Sequence, residues 1–182
     1  MTKINEVCEK VLYSEEVIDE KCNEIAQQIN DYYKDEDVTL ISILNGSFMF
    51  TSDLVKKLTI DCRIDFLQVS TYGASTVSSG KFTVKKPLSL DIENKNVLIV
   101  EDIVDTGFTM VNLIKYLESF NPKSIRVCTL IDKPHRRTHN VNADYVCFTM
   151  ENDEFIVGYG LDYGQNYRNL PYIAVLKEQI YN

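Results

Sequence analysis

Three carboxylates, two threonines and a glycine fall within nine consecutive residues, Glu101-Asp102-Ile103-Val104-Asp105-Thr106-Gly107-Phe108-Thr109. They directly follow Asn96-Val97-Leu98-Ile99-Val100, a run apolar at successive positions, as in a strand buried on both faces of a parallel sheet. Helical spacing resumes at Met110, Leu113, Ile114 and Leu117, which places the polar segment between a strand and a helix. Ligands of open parallel sheets bind just beyond the carboxyl ends of the strands. A helix start with free backbone amides, threonine hydroxyls and a glycine suits a phosphate monoester. Carboxylates alone would repel that ligand, but beside a phosphate site they suit a sugar phosphate, by accepting from vicinal hydroxyls or by holding magnesium. The plain alternative is a solvated acidic strand end before a capped helix, which would have to produce the whole nine-residue order by chance.

The elements that must position this segment alternate along the chain. Ser14 is a capping candidate for an amphipathic helix whose apolar face is Ile18, Cys22, Ile25, Ile29 and Tyr32. Residues 38–44 read as a buried strand that stops at Asn45-Gly46-Ser47, and Phe48, Phe50, Leu54, Val55 and Leu58 fit a second helix. Residues 63–72 read as a strand, 73–80 (GASTVSSG) as a mobile tip of small residues, and 81–86 as the returning arm of a hairpin. After a polar turn at 91–95 and the central strand come further strand-like runs at 125–131, 145–150, 156–159 and 172–177. This alternation predicts an α/β fold with a mostly parallel central sheet flanked by helices. Residues 1–182 contain no repeat, low-complexity tract or linker, so a single domain with a small flap is expected.

Composition excludes several partner classes. A chain of 182 residues that is 45% hydrophobic can bury a substantial core. With 27 acidic against 19 basic residues, its net charge of −8 repels nucleic acid and anionic membrane faces. The one cationic cluster, Lys133, His135, Arg136 and Arg137, is too short to offset that field. Lys3, Glu6, Glu9 and Lys10 interrupt the N-terminal stretch before any signal-peptide core could form, and no segment has the apolar length of a membrane span. Five cysteines without metal-type spacing point to a reducing cytoplasm, and His135 and His139 lack partners at zinc-ligand spacing.

The stretch VLIVEDIVDTGFTM resembles the phosphoribosyl-pyrophosphate binding motif of the phosphoribosyltransferases. Its surroundings are similar to the hypoxanthine-guanine branch: Leu44-Asn45-Gly46-Ser47, Ser70-Thr71-Tyr72-Gly73, Ile131-Asp132-Lys133-Pro134, and Phe155-Ile156-Val157-Gly158-Tyr159-Gly160-Leu161-Asp162-Tyr163 with Arg168 behind. These segments keep the family's order over nearly the whole chain. The resemblance implies a type I phosphoribosyltransferase-like fold with a small hood, and transfer of phosphoribosyl from phosphoribosyl pyrophosphate to hypoxanthine and guanine in purine salvage. It also implies Mg2+ as cofactor and a homodimer or homotetramer.

By this resemblance Glu101 and Asp102 would hold the ribose hydroxyls and the associated magnesium, with Asp162 as a second metal-associated carboxylate. Asp105, Thr106, Gly107, Phe108 and Thr109 would wrap the 5'-phosphate, and Asp105 would also be the general base. Lys133 would donate to the 6-oxo group of the purine, Phe155 would stack on its ring, and the Ile156 backbone would read its edge. Arg168 would meet pyrophosphate, and Asn45 and Gly46 would form the pyrophosphate loop, which in this family often contains a non-proline cis bond. Thr71 and Tyr72 would belong to a flexible lid at about residues 70–82. The chain departs from the pattern at Asn45, where many relatives carry a basic residue, and at Phe108, where several carry lysine. Arg136 and Arg137 remain open between subunit contacts and solvated charges. A nucleotide-sensing regulator of the same fold, without transferase activity, is the competing reading; it would need a basic surface or an added DNA-binding domain, against a pI near 4.8.

Overall fold

Seven uncharged residues, Val38–Leu44, form strand β2, and all but the last are fully buried. In the computed structural model, which describes residues 7–72 and 81–181, β2 pairs in parallel with β3 (Cys62–Tyr72) on one side and β5 (Asn96–Val104) on the other. Beyond β5 lie β6 (Ser124–Asp132) and β7 (Tyr145–Thr149), both parallel. At the opposite edge β4 (Lys81–Lys86) returns antiparallel to β3, as the sequence predicts for a hairpin. The order β4-β3-β2-β5-β6-β7 leaves β2 in one direction and β5 in the other, so the switch point lies between these two strands. Their carboxyl ends are therefore where a ligand crevice is expected.

Alternation along the strands feeds two cores. Leu40, Leu98 and Cys128 meet helix α1 (Glu15–Tyr33) and helix α2 (Phe48–Val55) on one face. Ile41, Ile99 and Val127 meet helix α3 (Phe108–Glu118) on the other. Ser14 Oγ accepts from Val17 N at 3.4 Å and caps α1 as predicted. The helix turns Tyr33 inward rather than the expected Tyr32, whose ring is exposed under the Arg126 guanidinium at 3.9 Å. Helix α2 stops at Val55 instead of reaching Leu58, its last turn tightening through Lys57 N to Leu54 O and Leu58 N to Val55 O.

Three further differences matter for the site. Strand β5 continues past Val100 to Val104, because β6 supplies partners at Thr129, Ile131 and Asp132, so Glu101 and Asp102 lie within the strand rather than after it. A strand absent from the sequence reading, β1 (Cys8–Tyr13), pairs antiparallel with β9 (Ile173–Leu176), which also pairs with β8 (Ile156–Val157). The strand-like runs at 156–159 and 172–177 thus build a second, three-stranded sheet, the small hood, followed by helix α4 (Glu178–Tyr181). Of the expected lid at 70–82, residues 73–80 lie outside the described residues, while the Thr71 and Tyr72 backbones pair with Phe82 and Lys81. Among the described residues no helix is long and apolar enough to cross a membrane.

Candidate active site

The turn between β5 and α3 is a backbone device. Gly107 takes φ 85°, and an added Cβ there would come 2.7 Å from Val141 Cγ1, so both conformation and space require glycine. As the N-cap it offers no side-chain acceptor, and beyond Phe108 N, which donates to Thr106 Oγ1 at 3.4 Å, first-turn amides of α3 are left for an anion. The loop is braced from behind, since Thr106 O accepts from Thr138 N at 3.0 Å and His139 N at 3.1 Å. Glu101, Asp105, Thr106, Gly107 and Thr109 line a hollow of about 70 Å³ at this helix start. Phe108 is not among them; its ring lies edge-on to His139 at 5.4 Å.

Next to the hollow, a cleft of about 300 Å³ brings together Asp102, Asp105, Lys133, Phe155, Ile156 and Asp162. That volume is enough for a purine-sized ligand. Asp105 lines both cavities. Lys133 follows β6 and is only 7% exposed. Its backbone N bonds to Val104 O at 3.0 Å and its Nζ donates to Glu154 O at 3.0 Å. Burial pulls the ammonium below the ordinary lysine value, opposed by the charge of Asp105. Phe155, whose residue type alone argues for the core, is instead a half-buried wall of the cleft, stacked on Tyr181 at 5.0 Å and edge-on to Tyr163 at 5.6 Å.

Next to the cleft, two glycines join distant loops. The Leu44-Asn45 peptide bond is cis. A Cβ on Gly46 would fall 1.4 Å from Asp102 Oδ2, and a Cβ on Gly160 would fall 2.0 Å from Gly46 O, so the 44–46 loop is pressed between the acidic strand and the hood. Arg168 donates from Nη1 to Gly160 O at 2.7 Å and pairs with Asp162 Oδ1 at 2.8 Å. Asn45, exposed on this loop, accepts from Gln68 Nε2 at 3.4 Å.

Because β5 runs on through Val104, Glu101 and Asp102 project to opposite faces of the strand. Glu101 lines the hollow and Asp102 the cleft. At 6% exposure the Glu101 carboxyl is pushed well above the usual carboxylate range by burial and then by the charge of Asp102. Asp153, Glu154 and Arg136 join the cleft beyond the site residues that the sequence singles out. Arg136 lines the cleft, with Nε 2.6 Å from Asp105 Oδ1 and Nη1 donating to Asp153 Oδ1 at 3.0 Å. Asp153 also meets His135 Nε2 at 2.9 Å, and these two partners, His135 first, hold its carboxyl below the usual range. The signal for Arg136 was its place in the basic cluster three residues after Lys133. Arg137 pairs with Asp132 behind the cleft.

Known proteins are similar to this chain over most of its length. Residues 12–164 match the family model described as phosphoribosyl transferase domain. The chain is 44% identical over 173 residues to a hypoxanthine-guanine phosphoribosyltransferase of Streptococcus pneumoniae, covering 95% of this chain and 96% of that protein. It is 46% identical over 167 residues to a hypoxanthine phosphoribosyltransferase of Buchnera aphidicola, covering 91% and 94%. The crystal structure of a hypoxanthine phosphoribosyltransferase from Staphylococcus aureus aligns with a TM-score of 0.95 at 42% identity, covering 100% of this chain and 99% of that one.

Proposed function

Because the chain belongs to the phosphoribosyltransferase family, we propose that it transfers the 5-phosphoribosyl group of phosphoribosyl pyrophosphate to hypoxanthine, and to guanine, in purine salvage. The products are IMP or GMP and pyrophosphate. The observation that carries this reading is the junction at Asp105, where a phosphate-sized hollow at a helix start meets a purine-sized cleft.

The 5'-phosphate sits in the hollow, bound by amides and hydroxyls of residues 105–109 and favoured by the positive end of the α3 dipole. The purine enters the cleft against Phe155, with its 6-oxo group accepting from Lys133 Nζ. Adenine presents an amino donor at that point, and two facing donors leave a buried group unpaired, which disfavours it. Asp105 takes the proton from the imidazole ring of the purine as the ring's other nitrogen bonds to the anomeric carbon and pyrophosphate departs. The sugar passes through an oxocarbenium-like state, and the carboxylates of Asp102 and Asp105 beside it stabilise the positive charge. Arg168, fixed on Gly160 O beside the 44–46 loop, supplies a cation at the pyrophosphate end.

Magnesium fits this donor set as an ion shared with the substrate. Among the described residues no three His, Cys, Asp or Glu side chains converge as a metal cage, while Asp102 and Asp162 line one cleft with Glu101 next in chain. Magnesium commonly takes one or two carboxylates and completes its shell with water and substrate phosphates. When bound it neutralises charge on the leaving pyrophosphate. We take residues 1–182 as one catalytic domain that acts on small molecules as a homodimer or homotetramer, on the strength of the family resemblance.

The test is nucleotide formation from phosphoribosyl pyrophosphate and magnesium with hypoxanthine, guanine, xanthine and adenine in turn. Product from hypoxanthine, with adenine inert, is expected. Absence of product from every 6-oxopurine would overturn the proposal and favour the sensing alternative.

A further inference from the structure

The loop between β8 and β9 opens with three consecutive residues in left-handed backbone: Gly158 at φ 100°, Tyr159 at 50° and Gly160 at 97°. The two glycines are required by contact, since a Cβ on Gly158 would fall 2.1 Å from Tyr172 O and one on Gly160 would fall 2.0 Å from Gly46 O. Tyr159 is different. A tyrosine gains nothing from that backbone conformation, so it persists where its side chain is anchored. The anchor is plain: Tyr159 is 3% exposed, and its hydroxyl donates to Asp53 Oδ2 at 2.7 Å with Cys22 Sγ 3.9 Å away. Asp53 lies on α2, the helix that the 44–46 loop runs into. Helix α2 is itself bound to β2 by a buried hydroxyl chain, Thr51 Oγ1 to Ser42 Oγ at 2.8 Å and Ser42 Oγ to Ser47 Oγ at 2.9 Å.

Two contacts therefore tie the hood to the 44–46 loop in parallel. One is the backbone approach of Gly160 to Gly46 O, and Gly46 in turn lies against Asp102, which lines the cleft. The other is the bond from Tyr159 to Asp53, which borders a separate groove shared with Met49 and Pro171 and touches neither the cleft nor the hollow. We propose that Tyr159 and Asp53 are positioning residues for the pyrophosphate end of the reaction. Their hydrogen bond sets the depth at which the 158–160 turn presses on the 44–46 loop, and hence the placement of the loop amides and of Arg168, which is bonded to Gly160 O. Base recognition stands apart from this contact, because Lys133 is held by Glu154 O and Phe155 is stacked on Tyr181 of α4 instead.

This rests on the reading of that loop as the pyrophosphate site, and the measurement separates the two. Tyr159→Phe keeps the ring and removes the donor, Asp53→Ala removes the acceptor, and Asp53→Asn keeps an acceptor oxygen in place. Tyr159→Phe and Asp53→Ala should each raise the KM for phosphoribosyl pyrophosphate on the order of tenfold, equivalent to about 1.4 kcal/mol. The KM for hypoxanthine should stay within about twofold, the double variant should be no worse than either single one, and Asp53→Asn should restore near wild-type values. Binding of inorganic pyrophosphate, measured by calorimetry, should weaken in parallel. An unchanged KM for phosphoribosyl pyrophosphate in the folded Tyr159→Phe protein would overturn the inference, as would equal rises for both substrates together with a lowered melting temperature. A wild-type chain that forms no nucleotide would overturn the functional reading and this inference with it; wild-type turnover with flat constants across the series would remove this inference alone.

Discussion

The hollow at the end of β5 and the cleft beside it are built by opposite strategies. The hollow comes from one uninterrupted stretch that includes Glu101, Asp105, Thr106, Gly107 and Thr109, and the groups proposed to work there are backbone amides set by a left-handed glycine. The cleft draws Asp102 from β5 and Lys133, Phe155 and Asp162 from separate loops, and the groups proposed to work there are side chains. The first needs only local geometry and a brace at Thr106 O. The second needs the register of β5 on β6, which seats Lys133 N on Val104 O, and the hood, which carries Phe155 and Asp162 to the far wall. A phosphate has the same chemistry on every sugar phosphate, so a local backbone nest suffices. A base must be told from other bases, which calls for donors and rings aimed from several directions.

That contrast predicts separable failures. The largest belongs to Asp105, the residue common to both regions: Asp105→Asn should lower turnover by roughly 10²–10⁴-fold, the contribution of a positioned general base, as read by steady-state kcat. Next, Lys133→Met should raise the KM for hypoxanthine by roughly 10–100-fold, as expected for a lost hydrogen bond to a charged donor, while the KM for phosphoribosyl pyrophosphate stays put. Since burial lowers the Lys133 value, wild-type use of hypoxanthine should decline on the alkaline side at a pH below the ordinary lysine value of about 10.4. A Lys133→Met effect on both substrates alike would dissolve the division between the regions.

Gly107→Ala should act on the hollow. The left-handed φ and the approach to Val141 make about 1–2 kcal/mol of destabilisation reasonable, and the phosphate-bearing substrate should weaken while free hypoxanthine does not. Glu101→Gln should act on stability with the opposite sign. Burial raises the folded value of Glu101 above the unfolded value of about 4.3, so the stability tied to its bound proton is full below that pH and is lost as pH rises through the folded value. At neutral pH the amide removes that penalty, so the melting temperature of the variant should rise. The gain should shrink as the pH is lowered.

The same contrast decides what the sequence discloses. Residues 101–109 can be read directly because their chemistry is contiguous, and β2 can be read because nothing in Val38–Leu44 is charged. The extension of β5 to Val104 cannot, because Glu101 and Asp102 oppose strand propensity and are held there by β6. Nor can β1, where Glu9 and Lys10 break the pattern and the strand exists only through its pairing with β9 near the other end of the chain. Lys133, Phe155, Asp162 and Arg168 are individually ordinary residue types; the resemblance to a family singled them out, and the structure gives the geometry that brings them together. Arg136 escaped both routes, since its place beside Asp105 depends on the short turn Pro134–Arg136 and on Asp153 across the cleft.

The proposed role puts Asp105 in chemistry at the junction rather than in binding on one side of it. Calorimetric titration of phosphoribosyl pyrophosphate, with magnesium, into the Asp105→Asn protein tests this most directly. A dissociation constant within about threefold of wild type, below the tenfold that 1.4 kcal/mol would produce, is the predicted result in a variant that has lost turnover. Affinity weakened tenfold or more would contradict it, because Asp105 would then be a ligand of the phosphate hollow and the base would have to be sought elsewhere.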